Sequence, residues 1–112
     1  MSSQKHTNYA HGPLSFGGWL RQMRDDKKVP LRVVAAAAEM DQAHLCKIEL
    51  GHRVPTEKQT AALARYFEVN PQDLEARRIA EKFRQDFAKN PAAPMAVQLL
   101  HDAPFDICKI ES

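Results

Sequence analysis

The 112-residue sequence predicts an all-α fold, and three observations carry that reading. Apolar residues recur at helical spacing: Phe16, Trp19, Leu20 and Met23 stand at i, i+3, i+4 and i+7, and Ala76, Ile79, Ala80, Phe83 and Phe87 line one side of a later segment. Helix start and stop residues fall between such stretches, at Pro30, Asp41, Gly51, Thr56 with Gln59, Asn70-Pro71 and Asn90-Pro91. No stretch shows the two-residue alternation of a half-buried strand. The length suits one domain with a single modest core.

Residues 1–13 are polar, with Ser, Gln, Asn, Gly and Pro, and read as a flexible lead-in whose His6 and His11 are solvated. A first helix is expected from 16 to about 27. Gly17 and Gly18 weaken its first turn by roughly 1 kcal/mol each relative to alanine, which leaves its start open. Pro30 suits the opening of a second helix over 31–38, because the N–H it lacks has no partner there anyway. Ala35 to Ala38 combine helix propensity with small side chains, so another helix can approach closely. Asp41 is the N-cap expected for a third helix over 42–50, with Gly51 as its left-handed stop. Thr56 and Gln59 fit a capping box for a fourth helix, which faces Leu63, Ala64 and Phe67 inward and ends near Glu68. Asn70-Pro71 opens a fifth helix reaching to about 89, and Asn90-Pro91 stops it. Met95-Ala96-Val97, Leu99-Leu100 and the cluster at 105–107 then predict one short helix and an extended end.

Formal charge is +2 with a pI near 8.6, compatible with a nucleic-acid partner but too small to argue for one unaided. Both signs are spread along the chain, so any basic patch must arise from folding. Cys46 and Cys108 lie far apart without CxxC spacing, which points away from a disulfide framework or a zinc site and toward a reducing compartment. The opening residues lack the apolar core of a signal peptide and no run is long enough to span a bilayer, so a cytoplasmic protein without membrane attachment is expected.

The second and third helices, short and joined by a tight turn, make a helix-turn-helix unit. Ala35 lies where the third helix must cross close above it, and Leu45 and Ile48 anchor that helix from beneath. Gln42, Ala43, His44, Cys46 and Lys47 are left pointing outward. Cys46 reads as a small neutral contact residue in preference to a redox switch. His44, Cys46 and His52 lack the fourth donor and the spacing of a metal site. Phe16 and Trp19, at helical spacing, read as core in preference to a ligand-stacking pair.

The run through Trp19-Leu20-Arg21, Leu31 to Ala35, Met40-Asp41-Gln42, Leu45 to Thr56 and Leu63 to Val69 resembles the phage-repressor-type (Cro-like, XRE) helix-turn-helix family over roughly residues 14–75. Its most specific part is Lys47-Ile48-Glu49-Leu50-Gly51-His52-Arg53-Val54-Pro55-Thr56. The resemblance implies a compact five-helix bundle of the lambda-repressor-like DNA-binding type, here with a C-terminal helical extension. It implies a transcriptional regulator, commonly a repressor, acting as a homodimer on double-stranded DNA. Carried over by position, Gln42, Ala43, His44 and Lys47 are base-contacting, with Gln42 suited to adenine and Lys47 to guanine. Arg32 and Arg53 match phosphate-contacting places, and Lys27 and Lys28 add to the same rim.

Three features depart from the family pattern. Glu39 stands where the family usually has glycine, so the turn is either strained or different. Leu31 replaces a polar phosphate ligand. Asp41 and Glu49 bring negative charge near the reading face; Asp41 is explained as a cap, and Glu49 is expected to pair with a basic neighbour, Arg53 being the candidate. Phe83 and Phe87 with Met95, Val97, Leu99 and Leu100 exceed what a small bundle needs to cover itself; they either wrap back on their own domain or bury a partner's surface, and a homodimer interface carried by 76–112 is the favoured use. The alternative to a DNA-binding regulator is a helix-turn-helix protein-interaction module, such as an antitoxin or a coactivator-like adaptor. No nucleophile–base–acid set, phosphate loop or metal motif suggests an enzyme, and no cofactor is implied.

Overall fold

Six α-helices follow one another along the residues that the computed structural model describes, 15–103: α1 (Phe16–Lys27), α2 (Leu31–Ala37), α3 (Gln42–Glu49), α4 (Glu57–Phe67), α5 (Pro71–Phe87) and α6 (Ala93–Asp102). No strand occurs among the described residues. The lead-in with His6 and His11, and the extended end with Phe105, Ile107 and Cys108, lie outside them.

Side-chain caps start α1, α3, α4 and α5, whereas α2 and α6 open without one. The Asp41 carboxylate accepts from the His44 N–H at 2.7 Å, and Thr56 and Gln59 form the reciprocal box at 3.0 and 2.9 Å. Asn70 Oδ1 accepts from the N–H groups of Gln72 and Asp73. Ser15, a cap that the sequence reading did not single out, accepts from the Gly18 N–H at 3.1 Å. Each of these satisfies a first-turn donor that the helix itself cannot.

The helices α1 to α4 also stop in one shared way. The N–H groups of Val29, Met40, His52 and Val69 reach back to the carbonyls of Arg24, Ala35, Lys47 and Ala64, at 2.9 to 3.2 Å. The residue before each donor adopts positive φ: Lys28 at 55°, Glu39 at 56°, Gly51 at 84° and Glu68 at 57°. This is the left-handed helix stop, which glycine adopts freely and other residues at a cost of about 1–2 kcal/mol. Glu39 therefore keeps the turn geometry that glycine serves in the resembled family and bears the strain.

The core draws on five helices: Phe16, Trp19 and Leu20 from α1, Val34 and Ala35 from α2 with Ala38 at its end, Leu45 and Ile48 from α3, Leu63, Ala64 and Phe67 from α4, and Leu74 from α5. Trp19 meets Phe67 edge-on at 6.0 Å between ring centroids, and Phe16 lies 6.2 Å from Trp19. Phe16 and Trp19 are core residues, as their spacing predicts.

On α5 the buried face differs from the apolar stripe. Leu74, Arg77 and Glu81 are buried, whereas Ala76, Ile79, Ala80 and Phe87 are exposed and Phe83 is half-buried. For Glu81 the reason lies 65 positions earlier in the sequence. Glu81 reaches the N-terminus of α1, where its Oε1 accepts from the Phe16 N–H at 3.3 Å in a buried hydrogen bond. The first turn of α1 holds no acidic residue of its own, so a carboxylate from α5 meets the positive end of the α1 dipole, a contact worth about 0.3–1 kcal/mol at exposed sites and up to ~2 when partly buried. Burial holds the Arg77 guanidinium below its ordinary range, partly offset by the charge of Asp73.

Contacts divide the chain into two compact units, the first ending at Lys82 and the second beginning at Phe83. In the second, the rings of Phe83 and Phe87 meet at a tilt of 47° with centroids 4.9 Å apart, and α6 presents Met95, Val97, Leu99 and Leu100 with more than half of each exposed.

One pH dependence follows from α5. Arg78 holds Glu75 bidentately at 2.8 and 2.6 Å, which draws the Glu75 carboxyl below its ordinary 4.5. The folded pKa lies below the unfolded one, so the pair's contribution is complete above about pH 4.5 and is lost as pH falls through the folded value. Glu75→Gln is expected to cost about 0.3–0.5 kcal/mol at pH 7 and nothing at pH 2, measured by urea unfolding at the two pH values.

Candidate nucleic-acid interface

α3 is held from below, capped at its start and met at its end by α1, and its outward side is exposed. Leu45 and Ile48 are fully buried on one side, over Val34 and Ala35 of α2 in the same core. Gln42, Ala43, Cys46 and Lys47 are exposed and His44 is half-buried. A side chain every 100° around the axis sets Ala43, Cys46 and Lys47 opposite the buried pair, with Gln42 and His44 on the two flanks. Leu50, just after the last turn, is 58% exposed on that outward side, a position the sequence reading left out. Its spacing of i+4 from Cys46 and i+7 from Ala43 was the available signal.

The four other predicted contact residues lie at the end of α1, the start of α2 and the segment after α3. Lys27 ends α1, Lys28 is its left-handed stop, Arg32 lies in the first turn of α2, and Arg53 follows Gly51; all four are exposed. Leu31 is half-buried and packs against the core, which accounts for an apolar residue at the start of α2. Cys46 is a free, exposed thiol. No cluster of metal-ligating side chains occurs among the described residues.

Glu49 is the single acidic residue within α3, and its pairing corrects the expectation. Its partner is Arg24, not Arg53. The Arg24 Nε lies 2.8 Å from Glu49 Oε2 and an Nη 3.2 Å from Oε1, while the other Nη donates to the Val29 carbonyl at 3.3 Å. The Glu49 side chain keeps 8% exposure and that of Arg24 20%. The hydrogen bond to Glu49 also raises the Arg24 pKa above its ordinary value. The physical reason is reach: Arg24 projects from α1 directly across the end of α3, and its planar fork matches both carboxylate oxygens. Arg53 is thereby left outside this pair, exposed beyond the end of α3.

α1 also seats α3 through its backbone. A Cβ on Gly17 would stand 2.3 Å from the Ile48 carbonyl oxygen and 2.5 Å from that of Glu49. Only glycine permits this approach. The end of α3 is thus gripped twice by one helix, through Gly17 and through Arg24.

This arrangement agrees with a comparison against known families, in which the model of the helix-turn-helix domain matches residues 15–77. The chain belongs to that family. No curated protein and no solved structure matches it. As a helix-turn-helix protein it falls among DNA-binding regulators, whose members are typically not enzymes. The helix-turn-helix unit spans α2 and α3, with α1, α4 and the start of α5 completing the matched segment. No helix among the described residues is long and apolar enough to cross a membrane.

Proposed function

We propose that this helix-turn-helix protein is a sequence-specific transcriptional repressor of the Cro-like kind, which lays α3 in the major groove of double-stranded DNA as a homodimer. The observation that carries the reading is the state of α3: Gln42, Ala43 and Lys47 stand exposed, while the helix's own carboxylate, Glu49, is turned back onto Arg24. A reading helix must offer donors and small apolar groups to base edges without presenting an unpaired anion to the phosphates.

In this reading the Gln42 amide pairs with adenine N6 and N7, Lys47 donates to guanine O6 or N7, and Ala43 touches a thymine methyl group. His44 contacts the flank of the same site. Arg53, Arg32, Lys27 and Lys28 bind phosphate oxygens and set the register of α3 without reading sequence. Residues 76–112 carry the dimer contact, supported by the exposed apolar side chains of α6, and place a second α3 one helical turn away, at roughly 34 Å. A protein-interaction role, as in an antitoxin or adaptor, draws support from Leu50, exposed on the outward side of α3.

Selection of bound sites from randomised DNA, followed by gel shifts over a salt series, tests the proposal. Lys47→Ala is expected to cost about 1–3 kcal/mol on the selected site and to relax preference at one base pair. Arg53→Ala is expected to weaken all sequences alike and to lower the salt slope by about one. Recovery of no preferred sequence, with no salt-sensitive binding, would favour the protein-interaction role and end the DNA reading.

A further inference from the structure

The buried face of α5 has a use beyond packing. We propose that Glu81 is a positioning residue for the reading helix, acting through the first turn of α1. Its Oε1 accepts from the Phe16 N–H, the residue immediately before Gly17, whose missing side chain lets α1 lie on the carbonyls of Ile48 and Glu49 at the end of α3. Two contacts therefore run in series: the α5 carboxylate holds the start of α1, and the start of α1 is the seat of α3.

The first turn of α1 needs such a hold. It contains Gly17 and Gly18, the residues least inclined to stay helical apart from proline, and no acidic side chain of its own. Ser15 satisfies the Gly18 N–H, and Glu81 takes that of Phe16. Without the carboxylate, the turn that carries Gly17 loses a partner at its most exposed end to fraying, and α3 loses a rigid support under its last two residues. The effect falls on the angle of α3, not on its surface chemistry, so it appears in discrimination between sequences more than in charge-driven attraction.

This inference rests on the proposed DNA reading for its functional part, and the test separates the two. The full-length chain is compared as wild type, Glu81→Gln, which keeps an acceptor without the charge, and Glu81→Leu, with Glu81→Asp replacing the last if it does not fold. Amide exchange and amide resonances are recorded without DNA, and the ratio of specific to non-specific DNA affinity is recorded with it. In Glu81→Leu the Phe16 to Gly18 amides should exchange at least about tenfold faster, the Ile48 and Glu49 amide resonances should move, and the affinity ratio should fall about tenfold at an unchanged salt slope; Glu81→Gln should recover most of each. Unchanged Ile48 and Glu49 resonances, or specific and non-specific affinities falling in step with melting temperature, would overturn it. Absence of selective binding in the wild type removes the DNA reading alone, because the DNA-free amide measurements still decide whether α5 holds the seat of α3.

Discussion

Gly17→Ala is expected to destabilise the fold by about 2 kcal/mol, lowering the melting temperature by about 10 °C. The added methyl group meets the carbonyl oxygens of Ile48 and Glu49 and the Glu49 carbonyl carbon, at 2.3, 2.5 and 2.8 Å. All three are backbone atoms, so no rotamer change relieves the contact. Alanine gains about 1 kcal/mol over glycine in helix propensity, and the overpacking cost of ~1–3 kcal/mol, more where the obstacle is rigid, outweighs it. A contrasting substitution separates close approach from backbone strain. At Gly51 a Cβ meets nothing within 4 Å, but φ is +84°, so Gly51→Ala is expected to cost only the left-handed penalty of about 1 kcal/mol. Thermal unfolding of both variants checks the order. A Gly17→Ala protein as stable as wild type would show that α1 does not lie directly on α3.

Much of this architecture could be read from residue types, because caps act locally. Asp41, Thr56 with Gln59, and Asn70-Pro71 bond within three residues of themselves, so a short window contains the whole interaction. The same holds for Gly51 as a stop. Lys28, Glu39 and Glu68 take the same conformation without the residue that advertises it, since the wrap-back hydrogen bond and the core contacts of Val29, Met40 and Val69 offset their strain. The outward set on α3 was legible for a similar reason: once Leu45 and Ile48 are assigned to the core, helical geometry leaves the other side to solvent.

What could not be read is what depends on which elements meet. The apolar stripe of α5 suggested a buried face, yet α5 turns Leu74, Arg77 and Glu81 inward and leaves Ile79 and Phe87 exposed. Periodicity reports that a face exists, not what covers it, and a face suited to a partner looks the same as one suited to the chain's own core. Gly17 illustrates the same limit from the other side. In the sequence it is a weakness in a first turn; in the fold it is the place where two helices touch backbone to backbone. A glycine inside a helical pattern was the available sign that something approaches closely, but the identity of the visitor lies 31 positions away, at Ile48.

Arg24 poses the sharpest case, because on the proposed DNA reading its partner determines whether α3 can approach a polyanion. Arg24→Ala is expected to cost about 2 kcal/mol, since it strands a carboxylate that retains only 8% exposure and also removes the donor to the Val29 carbonyl. Stability is not the only consequence. With Arg24 gone, the cheapest response for Glu49 is to turn toward water, which places a negative charge at the end of α3. DNA affinity should then fall further than the loss of one distant cation explains, and the specific and non-specific complexes should both weaken. Glu49→Gln in the same background removes that charge and is expected to restore part of both stability and affinity, with a coupling of about 1–2 kcal/mol in a double-mutant cycle. Because the pair is largely shielded from solvent, the coupling should persist at 0.5 M salt, where an exposed pair would be screened. Urea unfolding and gel shifts on the four proteins of the cycle decide the matter: additive effects would mean that Arg24 and Glu49 act separately, and that α3 is kept free of negative charge by some other group.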